Sequence, residues 1–492
     1  MTDVGKRNIY ENITKEKILN DLEKIIGKSN VSDKPHNLFP YSYDMTESEA
    51  KMPDFVVLPE KVEEIVQIVK YCNQNKLPIV PYVSGNNVGG LTIPEQGGII
   101  CDMGKRMKKI VKIHESMMYA ILEPGVTFGQ LKKYLDDNHP TLRYGMVMAP
   151  PYASVVANAL LSGLSNLSTS YGGMADFING LEAVLYNGDI VRTGSCFLSK
   201  EFKEDNWFCR YPIPDLTGLF IGWQGMTGIV TKAALQLWPK KKFNTALLTI
   251  VYDPKNCATL LKELGRTECI EEISTITLEL TKMGFGIEKP PKYEKEPDYV
   301  IMINISGNTE EILRAKVNYV KEIFEKEREK AEDKRIFLVN LDTFVNIIGE
   351  DFAVYYNLPN ILKPLYEFDG LTWVGSYTNP DNLGILMEKA HALYSKHNIS
   401  PIIYAKSMKS SHYAIFRPIS RYRKETELET IKNLQEELLE LMLDYDCVPY
   451  KTPKWMTDVI RKRCDPNWLK LLERIKEAMD PNNIFNPGKW GL

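Results

Sequence analysis

The 492-residue chain contains no run of ~18 or more uninterrupted apolar residues, so no transmembrane helix is expected. Its first residues, MTDVGKRNIYENITKEKILNDLEKIIG, are polar and amphipathic and lack the apolar core of a secretory signal. Charge of one sign is not in excess: 61 Lys and Arg stand against 64 Asp and Glu, a formal net charge of -3. A nucleic-acid partner is therefore not expected, since such surfaces carry a basic excess. Cysteine is scarce: Cys72, Cys101, Cys196, Cys209, Cys257, Cys269, Cys447 and Cys464, with no C-x-x-C pair. That spacing supports neither a zinc nor an iron–sulfur site and points to a reduced, cytoplasmic setting. Lysine-rich stretches such as KEIFEKEREKAEDKR alternate sign and read as a solvated helix face.

What is present is a long chain of ordinary globular composition, which requires two or three domains. Thr14–Ile26 reads as a helix. PDFVVLPEKVEEIVQIVKYCNQNKLPIVPY reads strand, turn, helix, strand, because Val62, Ile65, Val66, Ile68, Val69 and Cys72 recur at helical spacing. Two or three strands and a helix follow over residues 97–138. Tyr152–Leu164 reads as a helix of small residues. Gly180–Tyr186 and Asp189–Thr193 flank YNGD, an Asn-Gly turn of the hairpin kind. After Pro239 the pattern becomes strand, short turn, helix, strand, repeated. This is the signature of an antiparallel sheet with helices on one face. The terminal NIFNPGKWGL ends in apolar Trp490 and Leu492, as a docked tail does.

One stretch asks for a ligand. PYVSGNNVGG, Pro81–Gly90, follows the apolar strand Pro78–Pro81 with Gly, Asn, Ser and Val. Glycine permits positive φ and Asn tolerates left-handed turns, so such a loop turns several N–H groups toward one anion. No Gly-Lys-Ser/Thr closes it, and a strand-like run follows where a G-x-G-x-x-G turn opens a helix. A mobile surface loop is the plainer alternative.

That loop, then EPGV, YGGMADFINGLEAVLYNGDIVRTG, QGMTGIVTKAALQLWP and DPNNIFNPGKWG, occur in this order over almost the whole chain. Together they resemble the FAD-linked oxidases of the vanillyl-alcohol oxidase / para-cresol methylhydroxylase superfamily, relatives of the glycolate and D-lactate flavoproteins. The resemblance implies an α+β protein: a two-part FAD-binding domain with an inserted cap of antiparallel sheet covered by helices. The expected segments are 1–242 (FAD domain), 243–445 (cap) and 446–492 (return to the FAD domain). The resemblance further implies that Ser84, Gly85, Asn86, Asn87, Val88 and Gly89 hold the FAD diphosphate. Pro150, Ser154, Asn158, Asn166, Ser168, Tyr171 and Gly172 would lie along the flavin. Gly228, Ile229 and Val230 would serve the adenosine half, and Asn486 and Lys489 belong to the returning terminus.

Two chemistries remain open. The 2-hydroxy-acid branch carries His-x6-His and Glu-His ligands for a metal. Here His412 is followed seven residues later by Ile419, and no Glu-His pair exists, so no metal is expected. The aryl-alcohol branch carries Tyr-Arg-Thr, and here the corresponding run is Tyr450-Lys451-Thr452, with Arg417 and His412 as further candidates. Tyr450 and Lys451 would stabilise a developing oxyanion, or bind a substrate carboxylate. Val88 stands where an aromatic residue is expected, and Gly173 where an acid is expected, with Asp176 three residues on. Plainer readings are a packed Tyr450, a surface ion pair at Arg417 and a satisfied strand histidine at His412. With no histidine in the first loop and Thr372 at the matching cap position, non-covalent FAD is expected. The expected partners are a small hydroxylated substrate and an external electron acceptor (cytochrome, quinone, electron-transfer flavoprotein or oxygen), and a homodimer is compatible. A non-redox flavin enzyme of the ether-lipid synthase kind, or a non-catalytic flavin binder, are the readings of another class.

Overall fold

The computed structural model describes residues 13–198, 206–211, 213–284, 287, 290, 293, 295–341 and 368–492. The first layer is a four-stranded sheet in the order β1 (Val31–Ser32), β2 (Phe55–Val57), β4 (Ile99–Asp102), β3 (Ile79–Tyr82). β2, β4 and β3 are parallel, because the helix Val62–Asn75 carries the chain from β2 to β3. That helix buries Ile65, Ile68, Val69 and Cys72 and ends at Lys76, whose backbone is left-handed. The N-terminal helix Lys15–Ile26 is capped by the Thr14 hydroxyl and buries Ile18, Leu22 and Ile26 in the same core.

A second, antiparallel sheet follows: β5 (Ile110–His114), β6 (Tyr119–Leu122), β10 (Ile229–Gln236), β8 (Ile178–Val184) and β9 (Ile190–Arg192). β8 and β9 form the hairpin expected around YNGD. The short strands β7 (Leu142–Arg143) and β11 (Trp238–Pro239) pair beside it. The helix expected over Tyr152–Leu164 is shorter, Val155–Leu160. Ser154 caps it, and the left-handed Ser162 turns the chain at its far end.

The third sheet is antiparallel throughout. Its strands are β12 (Phe243–Val251), β13 (Ile270–Thr277), β14 (Tyr299–Gly307), β15 (Ile336–Asn340), β16 (Gly370–Trp373), β17 (Gly375–Thr378), β18 (Ile402–Met408), β19 (Tyr413–Tyr422) and β20 (Val448–Tyr450). The order is β15-β12-β14-β13-β18-β19-β17-β20, with β16 also on β19. The helices Pro254–Gly265, Glu310–Lys330, Leu383–Lys396 and Lys424–Asp444 bury their apolar residues on one face of this sheet. The KEIFEKEREKAEDKR segment behaves as expected: its helix buries only Val320 and Phe324. β20 reaches Tyr450, so this sheet extends past residue 445 into the segment read from sequence as the C-terminal return.

The tail is docked. The Ile79 amide donates to the Ile484 carbonyl at 2.7 Å, and the Asn486 amide donates back to Ile79 at 2.9 Å. This is an α+β architecture in which the sheets of the first half carry the large antiparallel cap, and the terminus returns to the first sheet.

Candidate active site

β3 ends in the Ser84–Gly89 loop, and that loop is open on one side. Its six consecutive amides donate to nothing among the described residues. Six bare N–H groups are costly inside a protein unless a ligand accepts from them. What holds the loop lies behind it. The Gly90 amide donates to Asp44 Oδ2 at 2.8 Å, and the Leu91 amide donates to Asn87 Oδ1 at 3.2 Å. Buried Lys489 donates to the carbonyls of Gly90 and Ile93 at 2.8 and 3.0 Å. Asn486 donates to Leu91 and Gln224 carbonyls at 3.0 and 2.7 Å. The terminal pair thus fastens the loop and does not line the cavity in front of it.

Two glycines of the loop are dictated by space. Gly85 has φ +64°, and a Cβ there would lie 2.0 Å from the Tyr82 hydroxyl. A Cβ on Gly89 would press to 3.0 Å on the Lys451 carbonyl, which ties the loop to the cap.

In front of the loop is a cavity of about 260 Å³ lined by Ser84 to Val88 on one side. Pro150, Ser154, Asn158 and Asn166 line it from the second segment, and Gly228 and Val230 from the third. The Ser154 amide donates to Ser84 Oγ at 3.2 Å, joining two of these segments. Buried Asn86 Oδ1, Asn158 Oδ1 and Gln224 Oε1, all on residues lining this cavity, have no partner. An open row of donors and orphaned acceptors around one cavity fits a dinucleotide.

The remaining expected residues fall elsewhere. Ser168 is fully buried, and its hydroxyl accepts from the Ser165 amide at 2.9 Å. Tyr171 is exposed and stacks on Trp238, and Gly172 packs near Lys409. The segment turns away from the cavity after Asn166, so none of these three lines it. Ile229 faces the core because side chains alternate along β10 between Gly228 and Val230. His412 is exposed on the β18–β19 turn and does not line the cavity. Asp176 is turned outward, half-exposed, with Lys409 Nζ at 3.2 Å. Thr372 is buried in β16, while its neighbour Trp373 faces the cavity.

The cap end of the cavity is built from β13, β16, β18, β19 and β20. Arg417 sits on β19 opposite Tyr404 on β18. Its guanidinium donates to the Tyr450 hydroxyl and lies 5.1 Å from the Trp373 ring and 5.4 Å from Tyr404. Lys451 Nζ stands 6.0 Å from the rings of both Trp373 and Tyr450. Neither cation has a carboxylate partner among the described residues. Burial, reinforced by the field of Arg417, pulls the Lys451 ammonium down to about 7. Desolvation raises the Tyr450 phenol, against the opposing pull of Arg417.

Sequence reasoning missed Glu272 and Lys406, which form an ion pair on β13 and β18, both almost fully buried. Glu272 lines the cavity. Burial holds the Lys406 ammonium well below its usual range, with Arg417 adding to the effect. Their signal was available: the Glu-Glu pair in IEEISTIT and the lone Lys in IIYAKSM are charges inside otherwise apolar or neutral strands. Among the described residues, no group of three or more His, Cys, Asp or Glu is placed to hold a metal.

The family described as FAD binding domain matches residues 53–194, and that described as FAD linked oxidases, C-terminal domain, matches residues 455–490. The chain thus carries the FAD binding domain and the C-terminal domain of the FAD linked oxidases. It is 26% identical over 488 residues to the glycolate oxidase subunit GlcD of Bacillus subtilis, covering 97% of each chain. It is 27% identical to the 4-cresol dehydrogenase [hydroxylating] flavoprotein subunit of Pseudomonas putida, covering 97% of this chain and 95% of that one. The fold matches a crystal structure of p-cresol methylhydroxylase with substrate bound, at a TM-score of 0.85, 22% identity, and 97% and 96% coverage. The FAD-linked oxidase is an oxidoreductase with FAD as cofactor, and no helix among the described residues is long and apolar enough to cross a membrane.

Proposed function

We propose that this FAD-linked oxidase is a dehydrogenase of a small hydroxylated donor of the para-hydroxybenzylic type. Its acidic group would be gripped by Arg417, Lys451 and Tyr450. The observation that carries this reading is the convergence of two cations without counter-ions on an aromatic floor beside a tyrosine hydroxyl. Such a place is electrostatically incomplete until an anion enters. Bound FAD would supply the hydride acceptor for the donor carbon.

The chain's own residues do the rest. Arg417 donates to Tyr450 Oη, so the Tyr450 proton is free to point at a substrate oxygen. Lys451, drawn down to about 7, is partly neutral near neutral pH. Its Nζ takes the phenolic proton and becomes the ammonium that holds the phenolate, a role suited to a desolvated lysine. Trp373, Tyr404 and Val88 supply apolar walls that exclude water. Ser84–Gly89, Pro150, Ser154, Asn158, Asn166, Gly228 and Val230 hold the cofactor in this reading, and Asn486 and Lys489 brace it. We keep the first boundary at residue 242 as read from sequence and move the second from 445 to 450, because β20 pairs within the cap sheet. FAD is non-covalent in this reading; a colourless acid precipitate over a yellow supernatant is expected, and a yellow precipitate would point to attachment at a cap tyrosine such as Tyr404, which lines the cavity. All eight cysteines are free thiols, which supports a cytoplasmic setting.

The second reading is a D-2-hydroxy acid donor, whose carboxylate would occupy the same cationic grip. The similarity to a glycolate oxidase subunit and the small Val88 in the loop favour it. Anaerobic addition of vanillyl alcohol, 4-cresol, D-lactate and glycolate to the yellow protein separates the two. Bleaching by the phenolic pair is expected; bleaching by the hydroxy acids alone selects the second reading. No bleaching by any of the four would sink both and leave a non-redox or non-catalytic flavin protein.

A further inference from the structure

A second cavity, of about 190 Å³, shares part of its wall with the first. Met146 and Asn166 line both, and the consecutive residues Glu271 and Glu272 of β13 face the second and the first respectively. The shared wall is closed by a reciprocal pair of hydrogen bonds. The Met146 amide donates to Asn166 Oδ1 at 2.9 Å, and the Asn166 amide donates to the Met146 carbonyl at 2.8 Å. A β-bridge between Val147 and Ser165 continues that wall. A donor molecule does not pass through such a wall without breaking it. An electron crosses a barrier one residue thick without moving any atom.

The second cavity has the chemistry of a ligand site. Its body is apolar, with Phe128, Leu131, Leu135 and Leu142. Tyr144, 6% exposed, contributes a hydroxyl that has no partner. Its rim carries Lys132, Lys240, Lys241 and Arg143 against Asp136 and Glu271, a surplus of cations. Arg143 is committed to Glu271 through two bonds of 2.7 and 2.6 Å, and Lys132 and Lys240 both reach Asp136. Lys241 makes no direct salt bridge among the described residues, although its field reaches Glu271.

We propose that this cavity is the electron-acceptor site, and that it takes a planar quinone bearing an anionic group. The inference rests on the reading that the cap end of the first cavity is the reactive end. Two electrons cross the Met146–Asn166 wall to the quinone. The quinone takes two protons from solvent at the lysine rim and becomes a hydroquinone, while the reduced cofactor returns two protons to water. No bond forms to the protein. The apolar body holds the ring system, the Tyr144 hydroxyl donates to a quinone oxygen, and Lys241 pairs with the anion.

The test uses holoenzyme reduced photochemically, so it does not depend on which donor is oxidised. Reoxidation by 1,4-naphthoquinone-2-sulfonate and by neutral 1,4-naphthoquinone is followed anaerobically by stopped flow. Lys241→Glu is expected to slow the sulfonate by about tenfold or more and the neutral quinone far less, because only the first has a charge to lose. Leu131→Trp, which fills the body, is expected to slow both. Reduction of either variant by its donor is expected to keep the wild-type rate. Unchanged reoxidation in both variants overturns the proposal. Slower donor reduction in either one also overturns it, by making the cavity a substrate route. Lack of bleaching by any donor, with these reoxidation effects intact, would instead count against the functional reading alone.

Discussion

The grip at Lys451 makes a pH prediction whose sign and size come from the structure. Burial and Arg417 pull the ammonium from its ordinary value to about 7. In the free protein Lys451 is therefore charged below neutrality and increasingly neutral above it. An anion that enters the site favours the charged form, so its affinity is full at low pH and falls as pH rises through 7. Benzoate is a clean probe, since it is ionised throughout and Arg417 stays charged. Each pH unit above 7 adds ~1.4 kcal/mol of reprotonation cost, about tenfold. The loss stops at the worth of one charge-assisted hydrogen bond, ~1.5–3 kcal/mol. Between about pH 6 and about pH 9, benzoate should thus bind roughly 10–100-fold more weakly, with proton uptake on binding greatest just above pH 7 and fading where the loss stops. Titration of the flavin spectrum or calorimetry in two buffers of different ionisation enthalpy reads both quantities. Lys451→Met should flatten the profile, leaving the weaker affinity due to Arg417. Arg417→Gln should move the inflection upward, since it removes the second cause of the depressed value. A flat wild-type profile, or the same slope in Lys451→Met, would refute the assignment.

Gly85→Ala adds a methyl where φ is +64° and Tyr82 occupies the space. Left-handed strain alone is ~1–2 kcal/mol, so FAD affinity should fall by about tenfold or more on reconstitution of apoprotein. Lys406→Met strips a buried carboxylate of its counter-ion and should cost ~3–5 kcal/mol in denaturant unfolding. Adding Glu272→Gln should restore most of that loss, whereas continued instability of the double variant would show that the pair is not the cause. His412→Ala should change neither flavin binding nor donor reduction, because the ring is exposed on a turn. Its expected effect on stability is within about 0.5 kcal/mol.

Local chemistry was legible wherever a signal was carried by neighbours in sequence. The helical recurrence from Val62 to Cys72, the Asn187-Gly188 hairpin and the small residues of the first loop all specify their own backbone. The two family segments at either end sit on such motifs. Ser168, Tyr171 and Gly172 misled because the sequence does not show where a chain leaves a cavity; it turns away after Asn166.

His412 was misplaced for a related reason: a histidine beside an apolar strand can stand on its face or at its turn, and only register decides. The long-range pairings lay beyond the sequence altogether. Arg417 meets Tyr450 only because β19 and β20 flank β17, and Glu272 meets Lys406 because β13 and β18 are neighbours. The sequence by itself determined the cofactor loop, because glycine torsions and bare amides are properties of adjacent residues. Tertiary structure alone decided the electrostatics of the donor end. Glu272 comes from β13, more than a hundred residues before Lys406, Arg417 and Lys451, yet all four share one desolvated place, and a charge's protonation there depends on its neighbours in space.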